Sequence, residues 1–428
     1  MLMVLIGFAI LVFMYVLLTF EIMHRTAVAV LTAGIVLGLN IVLRYASFED
    51  LLMGVDMDTI LLLMSMMIIV GVLSRTGFFE YVASTLLRRF HKHPLVLVAV
   101  LCSFTGFVSA FIDNVTTVLL VTPIVIEMAR RIGVDPRPLL LSIVFSSNIG
   151  GTATLIGDPP NIIIGSAAKL GFMDFVRNLT PIVVADLGLY VAMAPMLYRS
   201  WFASYRTKIA AEATSLEWRP SVDRDLLRKV GIVLCIVVGL FFLEDILGYP
   251  PAIPAIIGAG IVLIFVRKRM SLEEVLDFVD WSTLVFFISM FIAIRGIEEM
   301  GVVEFIARCI ASTSRDLPVL LMVVLWLSAF VSALVDNIPF VMAMIPVVKS
   351  IATMLGIDPK PLYWALSLGG CLGGNGTLVG ASANIVVAGI AEKHGCYISF
   401  RTFARYGMPV MLSTVGLAAI YLILRYGL

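Results

Sequence analysis

The sequence predicts an all-α polytopic membrane protein made of two inverted-topology repeats, each with five spans (one broken) and a re-entrant helical hairpin. Three observations lead there. The first is composition. Of 428 residues, 61% are hydrophobic and 14% charged, whereas soluble chains run near half apolar and about a quarter charged. The second is an internal match at a constant offset of 223, ungapped from Phe107/Phe330 to Asn161/Asn384, with 21 identities over 55 positions. Chance among apolar residues supplies Val and Leu matches. It does not supply Asp113/Asp336, Asn114/Asn337, Pro123/Pro346, Gly150/Gly373, Gly151/Gly374, Thr154/Thr377 and Gly157/Gly380, so the chain is a duplication. The third is charge placement. With the linker at 199–229 in the cytoplasm, Arg88-Arg89, Arg130-Arg131 and Arg267-Lys268-Arg269 all fall inside, and Glu49, Asp50, Asp56 and Asp58 fall outside. Both termini then face outward from the plasma membrane.

In chain order, the apolar runs at 2–20, 26–44 and 58–74 each approach the roughly 20 residues that a span needs. The first lacks a basic leader region and a small-residue cleavage site, so it reads as a span and not a signal peptide. Residues 95–131 form a long apolar run with a polar tip, the expected re-entrant hairpin. Residues 139–168 form a span broken by Gly, Thr, Asn and two prolines, and 180–198 completes the first repeat, residues 1–198. The linker reads as a solvated loop with interfacial helices. The second repeat, 230–428, brings spans at 230–247, 251–266 and 281–297, a hairpin at 317–353, a broken span at 362–391 and a last span at 406–424. Five crossings per repeat is an odd number, which inverts the second copy relative to the first, as in many secondary transporters.

The polar interruptions are the candidate site. In hydrocarbon every backbone N–H and C=O needs a partner, so a break at mid-membrane is tolerated only when buried in protein or lining a cavity. The hairpin tips are Asp113-Asn114-Val115-Thr116-Thr117 and Asp336-Asn337-Ile338-Pro339. The first broken span carries Asn148, Gly150, Gly151, Thr154, Asp158 and Asn161; the second carries Gly373, Asn375, Thr377, Ser382 and Asn384. Asn, Ser and Thr offer neutral oxygens and amide donors, and glycine bares the backbone carbonyls. A single such glycine more often serves close helix packing. A membrane carboxylate costs at least about 2.5 kcal/mol to insert and is functional by default, and Asp113 and Asp336 recur at the same place in both halves. Desolvation there disfavours the charged form, which suits a coupling carboxylate; the bland alternative is a helix N-cap. Asp158, with Ala381 at its repeat position, reads equally well as an N-cap. Asp186 has no partner that the sequence reveals, and Arg295 with Glu298 and Glu299 reads as an ion pair at a span end.

The segments FIDNVTTVLLVTP, NIGGTATLIGDPPNIIIGS, VDNIPFVMAMIP and GGCLGGNGTLVGASANIVVAGIAEKHG resemble the prokaryotic relatives of the pink-eyed-dilution (P) protein. That group lies in the ion transporter superfamily, beside ArsB-type arsenite permeases and NhaD-type sodium/proton antiporters, with the divalent-anion/sodium symporters more distant. The resemblance implies an elevator-type secondary carrier, often a homodimer, with a scaffold and a moving transport domain. It also implies that the two tips and the following breaks hold substrate and sodium, with sodium near Asn114, Gly150, Asn337 and Gly373. In the symporters the tips read Ser-Asn-Thr. Here Asp replaces Ser at both, placing two carboxylates where those carriers bind a dianion. The reading is therefore proton- or sodium-coupled ion antiport or permeation, with arsenite efflux as the alternative and a sodium-coupled dicarboxylate carrier or anion channel behind it.

Other classes fit less well. An intramembrane aspartyl protease needs two carboxylates sharing a proton, and its Tyr-Asp and Gly-x-Gly-Asp patterns are absent. Five cysteines without a Cys-x-x-Cys pair or regular spacing argue against a disulfide scaffold or a thiolate metal centre. A net charge of +1 leaves no nucleic-acid footprint. The chain is expected to be no enzyme and to carry no cofactor beyond a coupling sodium ion or proton, its partners being a small ion or molecule and the lipid bilayer.

Overall fold

Several helices begin at a side-chain cap, as after Asp56, Asp113 and Asp280, or at a proline, as at Pro94 and Pro159. The computed structural model describes residues 1–20, 22–211 and 221–427. In the first half these are α1 (Leu2–Thr19), α2 (Arg25–Leu43), α3 (Met57–Ser74), α4 (Phe78–Phe90), α5 (Pro94–Ser109), α6 (Asn114–Ile132), α7 (Arg137–Gly151), α8 (Pro159–Ala168) and α9 (Thr180–Leu197). Helix α10 (Arg199–Ala211) belongs to the linker. The second half repeats the order: α11 (Arg224–Phe241), α12 (Ala252–Val266), α13 (Trp281–Glu299), α14 (Val302–Ala311), α15 (Leu317–Leu334), α16 (Asn337–Leu355), α17 (Lys360–Gly373), α18 (Ser382–Lys393) and α19 (Phe400–Tyr426). Adding ten to a first-half label gives its counterpart. Short helices at Phe48–Met53, Phe172–Asn178, Glu244–Leu247 and Leu272–Leu276 fill the turns.

The same local chemistry closes both copies. Asp56 and Asp280 cap α3 and α13, each accepting the N–H of the residue three along, Thr59 or Thr283, and a hydrogen bond from that threonine's hydroxyl. Gly133 and Gly356 end α6 and α16 with φ of 73° and 67°, a left-handed turn that only glycine makes without strain. Packing is likewise duplicated: α5 lies against α7 as α15 lies against α17, α4 against α6 as α14 against α16, and α2 against α13 as α12 against α3. Most of the helices fall into two groups, with α4 and α14 packed against members of both. One comprises α1–α3 with α11–α13, the other α5–α9 with α15–α19.

All-α architecture and duplication are as the sequence implies. Among the described residues, eight helices are long and apolar enough to cross a membrane: α1, α2, α3 (with the short helix before it), α9, α13, α15, α16 and α19. Length does not separate a hairpin arm from a span, since the 18 residues of α15 already cover about 27 Å at 1.5 Å per residue. The first span of the second repeat, expected from 230, starts six residues earlier because Asp223 caps α11 through the Leu226 N–H. That N–H and the Arg269 guanidinium hold the Asp223 carboxyl below the usual carboxylate range. Helices α4 and α14 escaped the hydropathy reading because each is amphipathic. Only one stripe is buried: Phe79, Ala83 and Leu87 in α4, and Val303, Ala307 and Ile310 in α14.

The linker is anchored where it begins. Trp201 Nε1 donates to the Asp135 carbonyl at 2.8 Å, and the Tyr205 hydroxyl donates to the His91 carbonyl at 2.8 Å. Trp218 and the middle of the linker lie outside the described residues. The Arg295 ion pairs expected at a span end are present, at 2.8 Å to Glu298 and 2.7 Å to Glu299.

Candidate functional site

The two hairpin tips meet the two broken spans, and the repeat symmetry is carried into single hydrogen bonds. The Thr154 hydroxyl donates to the Ala110 carbonyl and that of Thr377 to the Ala333 carbonyl, tying each break to its own hairpin. The Asn161 amide donates to the Thr154 carbonyl at 2.9 Å, and Asn384 donates to Thr377 at the same distance. Further bonds run from Asn161 to the Gly151 and Thr152 carbonyls and from Asn384 to Gly374. Each asparagine thus satisfies carbonyls that the interrupted helix leaves free, which is how a buried break survives in an apolar environment.

The glycines of the breaks are explained by close approach. A Cβ on Gly150 would stand 2.2 Å from the Gly106 carbonyl oxygen, and one on Gly373 2.6 Å from that of Ala329. A Cβ on Gly151 would meet the Asn114 Oδ1 at 2.3 Å. Gly150 and Gly373 let α7 and α17 lie directly on α5 and α15, and Gly151 leaves room for the Asn114 side chain of α6.

Asp113 and Asp336 both cap the second arm of their hairpin. The carboxylate of Asp113 accepts the Thr116 N–H at 2.9 Å, and that of Asp336 the Ile338 N–H at 3.2 Å. Asn114 accepts the Ser109 hydroxyl at 2.5 Å. Asp158 sits at the N-cap of α8 but makes no side-chain cap bond. Its carboxylate turns instead to the opposite tip, accepting from the Asn337 amide at 3.4 Å. Pro159 and Pro160, which lack N–H groups, open α8 without needing a cap.

A cavity of about 310 Å³ collects these groups: Asp113, Asn114, Thr116, Asp158, Asn337 and Ser382 line it, joined by Asp280, Thr283 and Arg25. Asp336 lies just beside it, facing a neighbouring cavity that shares Arg25 and Ser382. Asn148, Asn161, Asn375 and Asn384 are buried behind the tips. There Asn148 bridges the halves, donating to Asn375 Oδ1 and Asn384 Oδ1 at 3.0 Å each. Gly150, Gly151, Thr154, Gly373 and Thr377 belong to the same buried layer and do not line this cavity.

Sequence reasoning missed Arg25, Asp280 and Thr283. The signal for Asp280 and Thr283 is their repeat relation to Asp56 and Thr59, at an offset of 224 outside the ungapped block. Arg25 has no such signal, being a basic residue at a span end, where basic residues are common. Asp186 is fully buried, and neither of its carboxylate oxygens finds a hydrogen-bond partner among the described residues.

Residues 15–369 match a protein family described as citrate transporter. An uncharacterized transporter of Mycobacterium tuberculosis is 39% identical over 416 residues, 96% of each chain. The mouse P protein is 33% identical over 501 residues, taking in 98% of this chain and 60% of its own, in line with the expected resemblance. Among solved structures, the YdaH transporter of Alcanivorax borkumensis shares the fold with a TM-score of 0.65 at 16% identity, over 95% of this chain and 98% of its own.

Proposed function

The chain belongs to the citrate-transporter family, a family of membrane transporters, and from that premise we propose that it is an elevator-type secondary carrier coupled to protons or sodium. The observation that carries this is the charge of the cavity. Three carboxylates, Asp113, Asp158 and Asp280, line it against Arg25, the one cation in its lining among the described residues. Arg25 is already engaged by Asp336. A bare tricarboxylate or dicarboxylate entering that space would be repelled at close range, whereas a proton or a monovalent cation would be drawn in. A neutral solute such as arsenous acid is compatible with the same lining and is the second reading.

In this reading the arms α5–α6 and α15–α16 are re-entrant hairpins entering from opposite sides. The group α1–α3 with α11–α13 is the scaffold, held against a second copy in a homodimer. The group α5–α9 with α15–α19 moves and carries the tips. Oxygens of Asn114 and Asn337, with carbonyls near Gly150 and Gly373, form the sodium positions. The protein sits in the plasma membrane with both termini outside.

Proteoliposomes with imposed proton and sodium gradients, tested against sodium, arsenite, chloride, citrate and succinate, decide the matter. Uptake driven by one of the two gradients is expected. Flux indifferent to both gradients, or dissipative flux of chloride, would sink the carrier reading.

A further inference from the structure

Arg25 joins the two helix groups at one point. Its Nη1 lies 3.3 Å from Asp336 Oδ2 and also donates to the Ser382 hydroxyl; its Nη2 donates to Thr283 Oγ1 at 3.0 Å. The guanidinium stands 5.7 Å over the Phe286 ring. Ser382 in turn donates to Asp336 at 2.9 Å. One side chain on α2 therefore grips α13 within its own group, and the cap of α16 and the first residue of α18 in the other. Both members of the pair are partly buried, 27% and 20% exposed, so their attraction is stronger than that of a surface pair.

Among the described residues the grip has no counterpart on the other repeat. The run Ala-Gly-Ile-Val-Leu at 33–37 recurs at 259–263, which pairs α2 with α12 and sets Pro251 at the place of Arg25. The turn there, Gly248-Tyr249-Pro250-Pro251, carries no cation. Asp113, the equivalent of Asp336, accepts its hydrogen bond from within its own tip. A structure duplicated down to single hydrogen bonds is thus unsymmetrical in charge at the carboxylates of its tips.

We propose that Arg25 is a tethered counter-ion that takes the place of the transported cation at Asp336, and does so in this orientation of the carrier only. The inference rests on the elevator reading, which separates α16 and α18 from α2 and α13 during the cycle. A cation on Asp336 and the Arg25 guanidinium compete for one carboxylate, so each lowers the occupancy of the other. Where the groups meet as here, Arg25 expels the cation; where they part, Asp336 is left without a counter-ion and binds it. A contact made in one state only stabilises that state, so the same pair sets the balance between the two orientations. Among the described residues, the other charged or titratable groups around Asp336 are Asp280 on α13, Asp113 and Asp158 across the tip, and Tyr15 and His24 on the α1–α2 side. Among the described residues, Arg25 is the cation that contacts it.

The orientation is read by a cysteine pair, Met23→Cys with Val386→Cys, which line the cavity beside Arg25 from either group. The full chain, with its native cysteines replaced, is reconstituted and treated with thiol cross-linkers of graded length. Arg25→Lys is expected to keep most of the yield, while Arg25→Gln and Asp336→Asn lower it several-fold. Titrating sodium chloride at fixed pH, and pH without sodium, should lower the yield of the parent in one of the two series. In Arg25→Gln that midpoint should move several-fold toward lower cation concentration. Equal yields and equal midpoints in Arg25→Gln and the parent would overturn the proposal; should Arg25→Gln fail to insert, Asp336→Asn, which retains the cap, gives the yield comparison and should lose the cation response, and an unchanged yield and response there would overturn it. A parent that carries flux yet shows those equal values refutes this inference alone. A parent without gradient-driven flux refutes the carrier reading instead.

Discussion

Asp113 and Asp336 each hold a helix end and each bring a titratable group to the tip, and asparagine separates the two roles. Its side-chain oxygen still accepts the Thr116 or Ile338 N–H, but it cannot release a proton. Asp113→Asn and Asp336→Asn should therefore insert and fold normally, while at least one loses proton or sodium coupling and flattens the pH profile of transport. Unchanged profiles in both would reduce the carboxylates to caps. Asn114→Ala and Asn337→Ala should abolish flux with the protein still folded. Asn114 supports Ser109 in one hairpin and Asn337 reaches Asp158 across the cavity, so size-exclusion profiles and flux need to be read together. The tips were legible in the sequence because a carboxylate in an apolar run is costly and this one occurs twice. The turn of Asp158 away from its own helix was not legible, because its partner lies 179 residues away.

The broken helices are held by closeness. In Gly150→Ala a methyl group would push on the Gly106 backbone, and in Gly373→Ala on that of Ala329. Backbone cannot rotate aside as a side chain does, so each change should cost about 1–3 kcal/mol and lower the melting temperature of the purified protein, with transport lost as well. A normal melting temperature with transport abolished would instead assign these glycines to the ion. Thr377→Val removes the bond to the Ala333 carbonyl and should cost about 0.5–1.5 kcal/mol, read in the same melt. The Gly-rich breaks stand out in sequence, but their packing against Gly106 and Ala329 does not, since a small residue in a membrane helix has many uses. Helices α4 and α14 were missed for a different reason: at 13 and 10 residues each is too short to read as a span, and its charged face interrupts the apolar run.

Orientation follows from charge and can be checked directly. Ser221, exposed at the end of the linker, is expected on the cytoplasmic side. In a background without the five native thiols, all of them free, Ser221→Cys should resist a membrane-impermeant maleimide in intact cells and react after permeabilisation. Labelling from outside would invert the topology.

The spans, the duplication, the tips and the breaks could all be read from the chain, because each is a local matter of hydropathy, of residue type, or of one segment compared with another at a constant offset. The assembly of the cavity could not. Arg25 meets Asp336 across 311 residues and Asn148 meets Asn375 across 227, and no local pattern marks either partner for the other. Such pairs arise only when the two copies pack against each other and place the tip of one beside the break and the α2 end of the other. That packing also makes the site unsymmetrical: equal carboxylates at equal repeat positions acquire different neighbours, because only one of them lies beside a basic helix end.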